Sequence, residues 1–153
     1  MGLIEDLIQQ KKFSSEYEKL LVTLLFTSYR LSDHQQNFFK PFGISAQQYN
    51  VLRILKGQNN ASLSINKIKD RMMDKNSDTS RLVSRLLKAG LVDKSIDNDD
   101  KRAASVVINK KGISLLTSIE KSLPDLFNPL EKLKKAEAKL LNELLEKVVK
   151  KLV

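Results

Sequence analysis

Apolar residues recur at helical spacing along most of this chain and change to strand-like runs in one place only. Between Asn76 and Gly90, the residues Leu82, Val83, Leu86 and Leu87 make a single buried stripe at i, i+1, i+4 and i+5. Asn76 or Ser77 can cap this helix, and Asp78 sits in the first turn, where the helix dipole favours a negative charge. Gly90 ends it, with Lys88 in the last turn. Ser77, Asp78, Ser80, Arg81, Ser84 and Arg85 then face outward. Small hydroxyls, a carboxylate and arginines suit contact with a polar, negatively charged surface.

The same pattern places the neighbouring elements. Residues 3–10 give one or two helical turns, and Ser15-Glu-Tyr-Glu18 is a capping box. It opens a long amphipathic helix through Leu20, Leu21, Leu24, Leu25, Ser28 and Leu31 to about Phe39, stopped by Pro41 and Gly43. A second capping box, Ser45-Ala-Gln-Gln48, has Ile44 and Tyr49 at staple positions and begins a helix that runs to Gly57. A polar loop follows to Leu63, and Ser64 caps a short helix bearing Ile65, Ile68 and Met72. With Asp74-Lys-Asn76 as a tight turn, two short helices separated by three or four residues lie between Ser64 and Lys88, which is helix-turn-helix geometry.

Leu91–Ile96 and Ala103–Ile108 read as an antiparallel hairpin with a charged tip, Asp97 to Arg102. A helix-turn-helix followed by such a hairpin is winged. Asn109 caps the next helix, which carries Ile113, Leu115, Leu116 and Ile119, and Pro124 and Pro129 predict a bend or break between Leu123 and Leu130. The stripe Leu133, Ala136, Leu140, Leu141, Leu144, Leu145, Val148, Val149, Leu152 then makes a helix of about five turns. One small winged domain cannot bury both this helix and the long N-terminal one. Packing them against each other and against a second copy solves the problem, so a homodimer is expected. The fold class is mainly α with a small β-hairpin wing: N-terminal dimerisation helices in 1–43, a winged helix-turn-helix in 44–112, and C-terminal dimerisation helices in 113–153.

Charge sharpens the choice of partner. The net charge of +9 is absent from residues 1–44, where five basic side chains balance five acidic ones. It lies in 45–108, with twelve against seven, and in 109–153, with ten against six. A polyanion such as double-stranded DNA fits that distribution. The 153 residues include no cysteine, which excludes disulfides and thiol chemistry and fits a reducing compartment. The first residues lack a signal peptide's basic and apolar regions, and the longest apolar run, Leu20 to Phe26, is too short for a bilayer. A soluble, cytoplasmic protein without membrane association is expected.

The candidate DNA-contacting set is Ser77, Asp78, Thr79, Ser80, Arg81, Ser84 and Arg85, with Asp100, Lys101 and Arg102 at the hairpin tip. Arginine can grip guanine O6 and N7 in the major groove, while hydroxyls serve bases or phosphates. Asp100, two residues before Arg102, can aim its guanidinium at a narrow minor groove. A calcium reading of the tip fails, because Arg102 and Ile108 stand where an EF-hand loop begun at Asp97 needs Gly and Glu. His34 is the only histidine, so no transition-metal site and no cofactor are expected, and no constellation of residues points to an enzyme. Tyr17, Tyr29, Phe38, Phe39, Phe42 and Tyr49 are expected in the core; Tyr29, Phe38, Phe42 and Tyr49 can also line a small-molecule cavity.

Over residues 44–116 the chain resembles the MarR family of bacterial transcription regulators. The resemblance is carried by Ile-Ser-Ala-Gln-Gln-Tyr-Asn-Val-Leu at 44–52 and Asp-Thr-Ser-Arg-Leu-Val-Ser-Arg-Leu at 78–86. Lys-Ala-Gly-Leu-Val at 88–92, Asp-Lys-Arg at 100–102 and Val-Ile-Asn-Lys-Lys-Gly at 107–112 complete it. It implies a dimeric winged helix-turn-helix repressor with intertwined terminal helices, often released from DNA by a small aromatic acid. It also implies that Asp100 and Arg102 form the wing's Asp-x-Arg and that Ser77 to Arg81 contact bases. Ser80 stands where the family often has Thr, and Asn109 where Thr commonly starts the helix after the wing. Two other classes remain open: a sequence-indifferent nucleic-acid-binding module, which would not discriminate between duplexes, and a protein-interaction adaptor, which would bind no duplex at all.

Overall fold

A computed structural model describes residues 2–59, 61–96 and 104–153. Seven α-helices and three strands are found among them: α1 Leu3–Ile8, α2 Glu16–Phe39, α3 Ala46–Lys56, β1 Leu63–Ser64, α4 Ile65–Arg71, α5 Thr79–Lys88, β2 Val92–Ile96, β3 Ala104–Ile108, α6 Lys110–Phe127 and α7 Lys135–Leu152. The chain falls into two compact units, residues 1–46 and 47–153.

In the first unit, the Ser15 hydroxyl accepts the Glu18 backbone N–H at 3.1 Å and so caps α2. The Glu18 carboxylate turns back one residue further than a capping box requires and takes the Ser14 hydroxyl at 2.7 Å. That bond holds the Glu18 carboxyl below the usual carboxylate range. Lys19 binds Glu5 at 2.7 Å and ties α1 to α2. Tyr17 and Tyr29, expected in a core, are exposed on α2. The helix shows an apolar face, Leu20, Leu21 and Leu25, that is exposed as well.

The second unit is a winged helix-turn-helix. Its core is Val51, Leu52 and Leu55 from α3, Ile68 from α4, Leu82, Val83 and Leu86 from α5, Val106 and Ile108 from β3, and Leu116 and Ile119 from α6. Burying each of these side chains contributes about 1.5–3 kcal/mol. β2 and β3 pair antiparallel from Val92↔Ile108 to Ile96↔Ala104, the expected hairpin. A third strand, β1, was not expected; Leu63↔Val106 and Ser64↔Ser105 add it to the other edge of β3, giving the order β1-β3-β2. Ser64 is at once the last strand residue and the N-cap of α4.

α5 ends in a Schellman motif. Leu91 N–H donates to the Leu86 carbonyl at 3.1 Å and Gly90 N–H to that of Leu87 at 3.0 Å. Gly90 adopts φ +67°, which an L side chain resists. The start of α6 clasps this joint. Asn109 Oδ1 accepts the Gly112 N–H at 3.0 Å, while its Nδ2 donates to the Gly90 carbonyl at 3.0 Å and to Asp93 Oδ1 at 3.1 Å. Lys111 Nζ donates to the Ala89 carbonyl at 3.0 Å. A Thr at 109 could cap the helix but could not supply the two amide donors. Gly112 is required here for close approach, since a Cβ would stand 2.3 Å from the Leu91 carbonyl oxygen.

One expectation needs correction. The connection between α4 and α5 comprises residues 72–78, longer than three or four, because Met72 leaves the helix in extended conformation and an Asp74-centred turn follows. The break expected between Leu123 and Leu130 is present: α6 ends at Phe127, and a 3₁₀ turn at Leu130–Lys132 follows. Lying in the last turn of α6, Pro124 removes only one backbone hydrogen bond. No helix among the described residues is long and apolar enough to cross a membrane.

Candidate nucleic-acid interface

Asp78, rather than Asn76 or Ser77, is the N-cap of α5: its Oδ1 accepts the Arg81 backbone N–H at 3.0 Å. The turn before it is built around Asp74. Asp74 Oδ1 accepts the Asn76 N–H at 2.9 Å, and Oδ2 accepts the Gln47 side-chain amide at 3.2 Å. Its carbonyl takes both the Ser77 N–H at 3.2 Å and the Ser77 hydroxyl at 2.8 Å. α3, through Gln47, thus helps to set the direction in which α5 leaves the turn.

That turn moves Ser77 off the expected outer face. It is 7% exposed, and its hydroxyl is held by Asp74. Thr79 is 3% exposed, and its Oγ1 has no hydrogen-bond partner among the described residues. The spacing held a signal for this: Thr79, Leu82, Val83 and Leu86 are i, i+3, i+4 and i+7 of one face. An unpaired buried hydroxyl costs roughly 1–3 kcal/mol. Thr79→Val, which keeps the shape and removes the hydroxyl, is therefore expected to raise unfolding stability by about 1 kcal/mol. Chemical denaturation measures this; a loss of stability would show that the hydroxyl is satisfied after all.

Asp78, Ser80, Arg81, Ser84, Arg85 and Lys88 are exposed on α5. Ser80–Ser84 and Arg81–Arg85 are i,i+4 pairs, so they form a strip two side chains wide. Among the described residues, the side chains of Arg81, Ser84 and Arg85 make no intramolecular hydrogen bond or ion pair. The strip is short, cationic and anchored from below by Leu82, Val83 and Leu86. α4 adds the exposed Lys67, Lys69 and Arg71. Asp100, Lys101 and Arg102, the expected wing contacts, lie outside the described residues.

Of the four aromatic residues expected around a ligand, three lie in the first unit and Tyr49 in the second. Phe38 packs edge-on against Phe39 at 4.9 Å and lies 5.7 Å from Phe42. Tyr29 is nine residues before Phe38 on the same helix, about 13 Å away along its axis at 1.5 Å per residue. Tyr49, in the other unit, accepts a hydrogen bond from Arg53 Nη1 at 3.3 Å. A different cavity of about 300 Å³ is lined by Arg53, Lys56, Gly57 and Glu120. Lys56 bridges to Glu120 at 2.8 Å there and holds its carboxyl below the usual range. No cluster of three or more His, Asp or Glu side chains fit to hold a metal ion occurs among the described residues.

The comparisons agree with this architecture. The sequence profile of the MarR family matches residues 44–104. Comparison with curated proteins gives no match. A MarR transcription factor from Planctomyces limnophilus is 29% identical with a TM-score of 0.68, covering 88% of this chain and 98% of its own. A mutant MarR from E. coli complexed with operator DNA is 21% identical with a TM-score of 0.73, over 97% and 99% of the two chains. The organohalide-sensing regulator RdhR-CbdbA1625, in its 2,4-dichlorophenol-bound form, is 18% identical with a TM-score of 0.74, over 91% and 86%. Residues 44–104 thus match the MarR family of transcription regulators, and solved MarR-family structures share the fold along nearly the whole length of this chain.

Proposed function

We propose that the chain is a homodimeric, sequence-specific repressor that binds palindromic operators through α5 and is released by a small aromatic acid or phenol. The observation that carries this reading is the strip Ser80, Arg81, Ser84, Arg85: exposed, cationic, and fixed on a helix locked at both ends, with the side chains of Arg81, Ser84 and Arg85 making no intramolecular hydrogen bond or ion pair among the described residues. Arg81 and its neighbours would read base edges while Lys67, Lys69, Arg71 and Lys88 meet phosphates, making affinity fall steeply with salt. Asp100, Lys101 and Arg102 would add the wing contact, and residues 1–43 and 113–153 the dimerisation helices around a DNA-binding domain at 44–112. The E. coli relative bound to operator DNA supports the DNA partner, and the relative bound to dichlorophenol supports a small aromatic effector.

Selection of bound duplexes from a random library tests the reading. A palindrome with half-sites about one helical turn apart is expected. Salt-sensitive binding without enrichment would instead indicate the sequence-indifferent module, and no binding with or without candidate effectors would indicate the adaptor. On the selected site, Arg81→Ala is expected to cost about 1–3 kcal/mol, with relaxed preference at one base pair per half-site. Anisotropy titration measures it; an equal loss on every duplex would make Arg81 a phosphate contact.

A further inference from the structure

We propose that Asp78 is a specificity-determining residue that selects cytosine at one position of each half-site. This rests on the reading of α5 as the helix that enters the major groove. Ser, Thr or Asn caps a helix about as well without bringing charge, and the helix dipole adds only a small stabilisation for an exposed carboxylate. Among the described residues no cation pairs with the Asp78 carboxylate, although Arg81 is three residues away and exposed. A lone negative charge at the leading end of an otherwise cationic strip repels phosphate and lowers affinity for any duplex. What it offers in return is direction.

Oδ1 is held by the Arg81 backbone N–H at 3.0 Å, which ties the carboxylate to the exposed start of the helix, and Oδ2 has no hydrogen-bond partner among the described residues. An unprotonated carboxylate only accepts hydrogen bonds. In the major groove the base-edge donors are the amino groups of cytosine N4 and adenine N6; guanine presents two acceptors, and thymine an acceptor and a methyl group. Adenine also places its N7 acceptor beside N6, where it opposes a carboxylate, whereas cytosine has only a C–H beside N4. Cytosine is therefore the base that Asp78 accepts best, and guanine the one it rejects most strongly. Specificity here comes from penalising the wrong bases as much as from rewarding the right one.

The test measures full-length wild type, Asp78→Asn and Asp78→Ser by anisotropy against the selected operator, with every half-site position changed to each of the four base pairs. Asn and Ser both preserve a cap, and thermal melting checks each fold. Wild type is expected to favour cytosine at one symmetric position by about tenfold or more. Asp78→Asn should bring adenine level with cytosine or ahead of it, because an amide can both donate to N7 and accept from N6. Asp78→Ser should flatten the preference, while the other positions change by no more than about twofold. Identical base profiles for the three proteins would overturn the proposal, even if the variants bound all duplexes more tightly through the lost charge. Wild type binding without any base preference would remove the groove reading itself, and this proposal with it; that result appears before any variant is made.

Discussion

Leu86→Ala is expected to cost about 2–5 kcal/mol of unfolding free energy. Leu86 is fully buried, and its carbonyl closes the Schellman motif that ends α5. The substitution leaves a void beneath α5, in a core whose side chains are buried and close-packed. A domain of this size has only about 5–15 kcal/mol in hand, so the loss is a large fraction of its stability. Denaturant unfolding should show a lowered midpoint with an unchanged slope. A change under about 1 kcal/mol would mean that the core collapses around the site far better than its packing implies. Leu86 also lies directly beneath the strip of Arg81, Ser84 and Arg85, so the variant should lose DNA affinity with rising temperature before it unfolds.

The double substitution Leu144→Asp with Val148→Asp is expected to convert the proposed homodimer to monomers. α7 has no buried residue, and Leu140, Leu141, Leu144, Val148, Val149 and Leu152 are all exposed along it. A contiguous apolar face of that length is unusual on a lone soluble chain and marks an interaction surface. Removing two apolar side chains from a dimer seam loses about 3–6 kcal/mol of burial, before the cost of burying two carboxylates is added. Dimer affinity should fall by roughly a thousandfold or more. Sedimentation velocity at micromolar protein reads the mass, and far-UV dichroism checks that helicity persists. Operator binding should fall with it, because two half-sites need two linked helices. A stable dimer in this variant would place the self-association surface elsewhere.

Sequence patterning revealed the long elements because each carries many periods of one repeat. α2 and α7 follow stripes of several turns, and the ends of α2 and α5 are marked by Ser15 and Gly90. β1 escaped notice since two residues, Leu63 and Ser64, show no periodicity, and only the partner strand β3 makes them a strand. The cap of α5 was misplaced by one or two residues because Asn76, Ser77 and Asp78 all have capping side chains; Asp74 decides among them by taking Ser77 for its own turn. Tyr17 and Tyr29 were expected in a core by residue type, which carries no information about a surface that a partner would cover. Pro124 and Pro129 did locate the end of α6 between Leu123 and Leu130, with the helix stopping at Phe127.

The clasp that Asn109 and Lys111 make on Ala89 and Gly90 joins the end of α5 to the start of α6 with little play. α6 is then a lever of about 27 Å whose fulcrum is the tail of the DNA-facing helix. A shift of about 2 Å at its Phe127 end turns that joint by about 5° and moves the Asp78 end of α5, about 15 Å away, by roughly 1 Å. Hydrogen bonds to base edges tolerate about half that displacement. On the proposed reading of α5, small forces at the far end of α6 are therefore geared into the fidelity of base reading.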